Sequence, residues 1–336
     1  MNQERTVKVA AIQLEATAGD VVTNVQRAES LCLEAIRQGA KVIALPEFFT
    51  SRIALYDDVF KAVMPPQNIA VDMMKQIAQQ HQCWIGGSML VADAGEVYNR
   101  YHLVEPNGDV HLHDKDLPTM VENAFYTRGK TEGAFETKLG GVGAAMCWEV
   151  IRNQTARRLF NKVDMVMTGT HWWTLAQNWS TLNNTVFSGL DERNRSLSEG
   201  APAELAQRLG VPVIQASHCG QYHTRHLLFA GTSASLHYET EFVGATQIVD
   251  AQGRVLASRN TREGPGIVTA EITLGRVKPI KPIAETMWIP QLPALFLFNW
   301  FQQNWAGRSY YEREGRQKGL AASAAFNSPP DALPRS

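Results

Sequence analysis

The stretch "VKVAAIQLEATAGDVVTNVQRAESLCLEAIRQGAKVIALPE" (residues 7–47) decides the fold. Its first eight residues, "VKVAAIQL", are mostly apolar and read as a buried strand. The apolar period then changes, because Val21, Val25, Ala28, Leu31, Ala35 and Ile36 recur at helical spacing. Asp20 stands where that helix needs an N-cap and Gly39 where it must end. Beyond the stop, "KVIALPE" is a second strand running into a loop. A strand, a helix and a strand in so short a stretch make a βα unit.

The unit recurs along the chain. A helix is predicted over "NIAVDMMKQIAQQHQ", then strands around "CWIGGSML" and "YNRYHLVEP", with Asn107-Gly108 as a hairpin turn leading into "DVHLHDKDL". The second half repeats the theme: "VGAAMC", a helix over "QTARRLF", the strand "DMVMTG", a helical region from about residue 175 to 209, and the strand "VPVIQAS". Late strands follow at "FVGATQIVD", "RVLASRN" and "GIVTAEI". This alternation predicts an α/β chain with a mixed sheet. No linker-like break precedes about residue 275, so residues 1–275 are expected to form one catalytic domain. Residues 276–317 then read as an extension serving packing or oligomerisation, and 318–336, small, polar and proline-containing, as a disordered tail.

The 336 residues carry 32 Lys plus Arg against 33 Asp plus Glu, which leaves no electrostatic footprint for nucleic acid. A small-molecule substrate is the better expectation. Charges precede the first strand and no signal-like apolar core is present, so a cytoplasmic protein is expected. Cys32, Cys83, Cys147 and Cys219 are widely spaced and suggest reduced thiols in place of a disulfide framework or zinc knuckle. "MWIPQLPALFLFNWF" (residues 287–301) contains two prolines and falls short of the about 20 apolar residues of a membrane span. Packing on the chain's own core or on a neighbouring subunit is the preferred reading, ahead of a membrane-surface contact.

Three strand ends carry polar residues with chemical potential: Glu47 in "ALPEFF", Lys115 in "HDKDLP" and Cys147 in "AMCWE". Loops after strand C-termini are where α/β folds build their sites. A thiol is a poor nucleophile at neutral pH until a base takes its proton or a cation favours the thiolate, and a carboxylate with an ammonium supplies both. Taken singly, each has an ordinary reading as a buried thiol, a helix cap or a solvated charge.

In combination and in order, these segments resemble the nitrilase superfamily of carbon-nitrogen hydrolases. The resemblance spans roughly residues 7 to 275 and rests on "VKVAAIQLEATAGDVVTNV", "GAKVIALPEFF", "YNRYHLVEPNGDVHLHDKDLPTMVE", "GVGAAMCWE" and "FVGATQIVDAQGRVLA". It implies a four-layer αββα sandwich, a homodimer or larger homo-oligomer, and hydrolysis without metal or organic cofactor. It implies Glu47 as general base, Cys147 as nucleophile and Lys115 as the charge that stabilises the developing anion. It further implies that Glu122, seven positions beyond the lysine, positions that lysine or the attacking water, and that the Trp148 backbone N–H completes an oxyanion site. The implied cycle passes through a thioester on Cys147, with ammonia or an amine leaving and water resolving it.

"CWE" and "LPTMVE" resemble the nitrilase branch, whereas "TARRL" resembles amide-hydrolysing relatives, so a nitrile is expected slightly ahead of an amide. An amidase or N-carbamoyl amide hydrolase is the alternative, and an amide-forming acyltransferase a more distant one. "GTHWWT" follows a strand end where the family often lines its pocket, which offers His171, Trp172 and Trp173, with Trp148, as substrate contacts. The intact Glu47, Lys115 and Cys147 argue against a silent scaffold. "SHCGQYHTRH", with His218, Cys219, His223 and His226, holds possible zinc ligands but lacks the paired spacing of a structural site, so no metal is expected. Arg193 and Arg195 are open candidates to meet a substrate carboxylate.

Overall fold

The computed structural model describes residues 5–53, 57–179, 189–228, 232, 234–283, 285 and 294–326. Its axis is β1 (Arg5–Leu14), which pairs in parallel with β2 (Val42–Ala44) and antiparallel with β14 (Gly266–Leu274). At its far end only Gln13 and Leu14 pair, in parallel, with Ser217 and His218 of β9 (Val213–His218). This short contact joins two half-sheets. One continues from β2 through β3 (Trp84–Asp93) and β4 (Glu96–Val104) to β5 (Val110–Asp114). The other continues from β9 through β8 (Met165–Thr170) and β7 (Gly140–Met146) to β6 (Ala134–Thr137). β12 (Thr246–Val249) pairs with β9 and with β13 (Val255–Arg259).

The period-two alternation of β1 sets the layers. Ala10, Ile12 and Leu14 face a core shared with Val25, Ala28 and Ala35 of α1 (Val21–Arg37) and with Val71, Met74 and Ile77 of α2 (Ile69–His81). Val9 and Ala11 face the opposite way, onto Val42, Ala44 and Leu103 from one half-sheet and Val142, Met146, Met167 and Ile214 from the other. Behind the second half-sheet, Val166 and Val213 pack on Leu159 of α3 (Asn153–Leu159) and on Leu205 and Leu209 of α4 (Leu190–Leu209). Helices, sheet, sheet and helices are therefore stacked with three apolar seams between them, the expected αββα order. Each Ile, Leu or Met buried in these seams contributes about 1.5–3 kcal/mol. Asp20 caps α1 by accepting the Thr23 N–H at 3.2 Å, and Asn68 caps α2 by accepting the N–H groups of Ala70 and Val71.

Two expectations need correction. The helix read from about residue 175 begins, among the described residues, only at Leu190. Thr174 and Gln177 instead donate their backbone N–H groups to Glu241 and Glu239, at 2.9 and 2.7 Å. These acceptors belong to the hairpin of β10 (Gln221–Leu227) and β11 (Ser235–Glu241). Aromatic and β-branched residues in "HWWT" suit such extended pairing.

The tail read as disordered from residue 318 is helical as far as Phe326. α5 (Ala294–Tyr310) passes through a π-helical turn, Tyr311–Gly315, into α6 (Arg316–Phe326). Small residues permit close packing here: a Cβ on Gly319 would overlap Val97, and Leu320 and Ala322 lie against the cluster of Phe60, Val97 and Tyr311. Residues 287–293 of the aromatic segment and 327–336 of the tail lie outside the described residues. Within the described part, Asn304 accepts from the Asn123 amide at 2.9 Å and Trp300 stacks on Trp148 at 4.8 Å, so α5 is fastened to the loops that carry the site. Its other side leaves Phe298, Phe301 and Trp305 exposed in this single chain. No described helix is long and apolar enough to cross a membrane.

Candidate active site

Glu47 lies just beyond β2, Lys115 directly after β5, and Cys147 directly after β7, so three strand ends converge. The Lys115 ammonium is buried between two carboxylates, with Nζ 2.9 Å from Glu47 Oε1 and 2.9 Å from Glu122 Oε2. Glu47 Oε1 also accepts from the Asn99 amide at 2.8 Å, and its Oε2 from the His171 backbone N–H at 3.1 Å. Glu122 Oε2 accepts the Thr119 N–H at 2.8 Å and the Tyr126 hydroxyl at 2.5 Å. Cys147 and Glu122 line the same cavity, of about 310 Å³.

The electrostatics separate the roles of these groups. Burial raises Glu47 to about 7 and Glu122 adds to the rise, against the opposing pull of Lys115. Burial acts to lower Lys115, but Glu122 and Glu47 outweigh it and hold the ammonium charged. The Cys147 thiol is pushed well up by burial and by the Glu47 charge, with Lys115 and the His171 backbone N–H opposing. The resting sulfur is a thiol beside a carboxyl that titrates near neutrality.

The backbone is strained at each arm of the site. Phe48, Met120 and Cys147 adopt φ of 53°, 51° and 49°, a left-handed region that costs a side-chain-bearing residue about 1–3 kcal/mol. One lies beside Glu47, one at the turn that presents Glu122, and one is the cysteine itself. Packing holds them there. Gly169 of β8 lies so close that a Cβ on it would overlap the Glu47 backbone nitrogen, and His218 Nε2 donates to the Glu47 carbonyl at 2.7 Å.

Glu149 fixes the two remaining arms to each other. Its fully buried carboxylate accepts the Met146 N–H at 2.8 Å, one residue before the cysteine, and the Asp116 N–H at 3.1 Å, one residue after the lysine. Arg158 at 2.8 Å and His113 at 3.1 Å complete its shell. Burial acts to raise this carboxyl, yet His113 and Arg158 outweigh it and hold it well below the usual carboxylate range. Arg152 and Arg158 both pair with Asp116 as well.

All eight site residues expected from the sequence therefore fall in one region. Glu47, Lys115 and Glu122 form a connected hydrogen-bonded set, and Trp148, His171, Trp172 and Trp173 line the cavity with Cys147. The His171 ring is also structural, since its Nε2 accepts the Ile53 N–H at 3.0 Å. Asn194 holds the two adjacent indoles by accepting from Trp172 Nε1 at 2.8 Å and donating to the Trp173 carbonyl at 2.9 Å.

Sequence reasoning missed Asn99, Tyr126, Trp179, Asn194 and Tyr238. Asn99 had a readable signal, a lone amide within the apolar strand "YNRYHLV". The histidine cluster disperses over two strands: His218 at the end of β9 serves Glu47, while on β10 His223 is exposed and His226 packs edge-on against Trp179. Among the described residues, no three His, Cys, Asp or Glu side chains converge as metal ligands. Arg195 pairs with Asp191 at 3.0 Å and Glu241 at 2.7 Å, and neither it nor Arg193 lines the cavity.

Comparison with known proteins places the chain in a family. The chain is 28% identical over 185 residues to omega-amidase NIT2-A of Xenopus laevis, a match covering 49% of this chain and 66% of that relative, just under two thirds of its length. It is 22% identical over 305 residues to the bifunctional nitrilase/nitrile hydratase NIT4B of Lupinus angustifolius, covering 82% and 80%. A carbon-nitrogen hydrolase structure from Helicobacter pylori superimposes with a TM-score of 0.65 at 18% identity, over 80% of this chain and 89% of that one, a likeness of fold. Residues 8–282 match the Carbon-nitrogen hydrolase family model, and the chain belongs to that family.

Proposed function

We propose that this protein hydrolyses the carbon–nitrogen bond of a small nitrile or amide through a covalent intermediate on Cys147. The observation that carries the reading is the buried Lys115 ammonium held at 2.9 Å from both Glu47 and Glu122, at the strand ends that also present Cys147. Such a cluster costs folding energy, and catalysis is the use that accounts for it.

In the proposed cycle Cys147 Sγ attacks the substrate carbon and its proton passes to Glu47. The negative charge that develops on the substrate is stabilised by Lys115 and by the Trp148 backbone N–H, one residue after the nucleophile in the Cys147–Ile151 helical turn. For an amide, ammonia departs with the proton from Glu47 and leaves a thioester. For a nitrile, a thioimidate forms first and water converts it to the same thioester with loss of ammonia. Water then attacks, Glu47 takes its proton, and the carboxylic acid leaves as the thiol is restored. Glu122 acts as a positioning residue for Lys115. Asn99 and the His171 backbone N–H orient the Glu47 carboxylate.

The nitrile remains the reading of the bond cleaved, favoured by "CWE", by "LPTMVE" and by the match to the lupin nitrilase over most of the chain. The omega-amidase relatives favour the amide. Ammonia release from matched nitrile and amide pairs, with Cys147→Ala beside the wild type, tests both levels. Release from one member of each pair and none from the variant is expected; release by the variant at the wild-type rate would overturn the cysteine cycle.

A further inference from the structure

The cavity at Cys147 carries few charged groups in its described lining. Its described lining is dominated by Trp148, Trp172, Trp173 and Trp179, with Tyr238 and Leu236. No lysine or arginine is among the described lining residues. Two nearby cations lie outside that lining: Lys115, held by Glu47 and Glu122 and assigned above to the reacting atoms, and Arg195, paired with Asp191 and Glu241. The internal segments outside the described residues, 54–56, 180–188, 229–231, 233, 284 and 286–293, contain no Lys or Arg in their sequence. The two lining histidines are held neutral, His171 and His226 both being lowered chiefly by burial, His226 to about 4. The carboxylate in the wall is Glu122, which is paired with Lys115 and offers an anion no counter-charge.

The aromatic walls are also rigid. Trp148 is stacked on Trp300 on one side, at 4.8 Å and 6°, and meets Trp172 at 5.8 Å on another. Trp172 is fixed by its hydrogen bond to Asn194, and Trp179 meets Tyr238 edge-on at 5.2 Å. Rings held this way present flat apolar faces without an ordering cost on binding. The volume of about 310 Å³ is at the small end of ligand pockets and suits one ring on a short linker.

We infer that this site takes uncharged nitriles or amides whose substituent is aromatic or bulky and apolar, and that it rejects substrates whose substituent carries an anionic group. The inference rests on the reading of Cys147 as nucleophile. An anionic substituent entering this cavity sheds its hydration and finds no cationic side chain among the described lining residues. An aryl group gains indole contacts instead.

The test uses the full chain and ammonia release. Phenylacetamide, acetamide, succinamate, 4-nitrophenylacetamide and 4-carboxyphenylacetamide are compared, together with the corresponding nitriles. The last two amides match in shape and differ in charge. The expected kcat/KM for the nitro compound is about 100-fold or more above that for the carboxylate. Phenylacetamide is expected to exceed acetamide by about tenfold or more, and Trp179→Ala to narrow that ratio. Equal or better turnover of the carboxylate, preference for acetamide or succinamate over every aromatic member, or no turnover of the aromatic series overturns the inference. Cys147→Ala in parallel separates the two levels. Anion preference in a wild type whose variant is inactive removes the charge selectivity alone, whereas full activity in the variant removes the nucleophile reading beneath it.

Discussion

At the scale of single residues, the Cys147 thiol and the Glu47 carboxyl are displaced in ways that suit each other. Burial and the Glu47 charge keep the sulfur protonated at rest, and in the proposed cycle the carboxyl raised to about 7 accepts that proton as the sulfur attacks. Cys147→Ala is expected to lower kcat/KM by about 10³-fold or more while circular dichroism stays unchanged. The base must be deprotonated in the free enzyme. The kcat/KM profile should therefore fall about tenfold per pH unit below about pH 7, and a flat profile from pH 5 to 8 would contradict the assignment. Stability carries the opposite sign. Because the folded value exceeds the ordinary 4.5, Glu47 favours the fold at acid pH and withdraws that contribution as pH rises from about 4.5 through 7. Glu47→Gln should flatten that part of a urea-stability profile measured from pH 5 to 8.

At the scale of elements, Glu149 links the end of β7 to the end of β5 through two backbone N–H groups, and its own charge is met by Arg158 and His113. Glu149→Ala leaves two buried backbone donors without their acceptor and Arg158 with Asp116 as its remaining carboxylate. It is expected to cost about 3–5 kcal/mol in urea unfolding, with Glu149→Gln losing less. Gly169→Ala pushes a methyl against the Glu47 backbone, and a loss of about 1–3 kcal/mol with a lower kcat is expected. These elements also mark how far the sequence could be read. Most strands and helices of residues 7–159 follow from their apolar periods, as do the positions of Glu47, Lys115 and Cys147 at strand ends, whereas the short β6 and the helical turn at Asp57–Ala62 do not. The resemblance then groups Glu122 with them. What escapes is long-range: the pairing of Thr174 and Gln177 with β11, the left-handed turns at Phe48, Met120 and Cys147, and the anchoring by Glu149 all depend on partners far along the chain. "GLAASAAF" reads as disordered from composition because only the Phe60, Val97 and Tyr311 surface it packs on makes it a helix.

At the scale of the whole molecule, the two half-sheets bring their loops to one end, and the C-terminal helices are fastened across that end. α5 and the π-helical turn pack on the Met120–Ala124 turn that presents Glu122, and Trp300 stacks on Trp148. A chain ending after residue 285 should keep most of its sheet signal but lose activity about tenfold or more, because Glu122 and Trp148 lose their backing; unchanged kcat/KM in that chain would contradict the coupling. Everything in this account passes through one covalent bond. The measurement that tests it most directly is rapid-quench intact-protein mass spectrometry during turnover of a neutral aryl amide or nitrile, followed by peptide mapping. An added acyl mass is expected on the peptide that contains Cys147 and is expected to be absent from Cys147→Ala. An adduct on another residue, or a Cys147→Ala protein that releases ammonia at the wild-type rate, would contradict it.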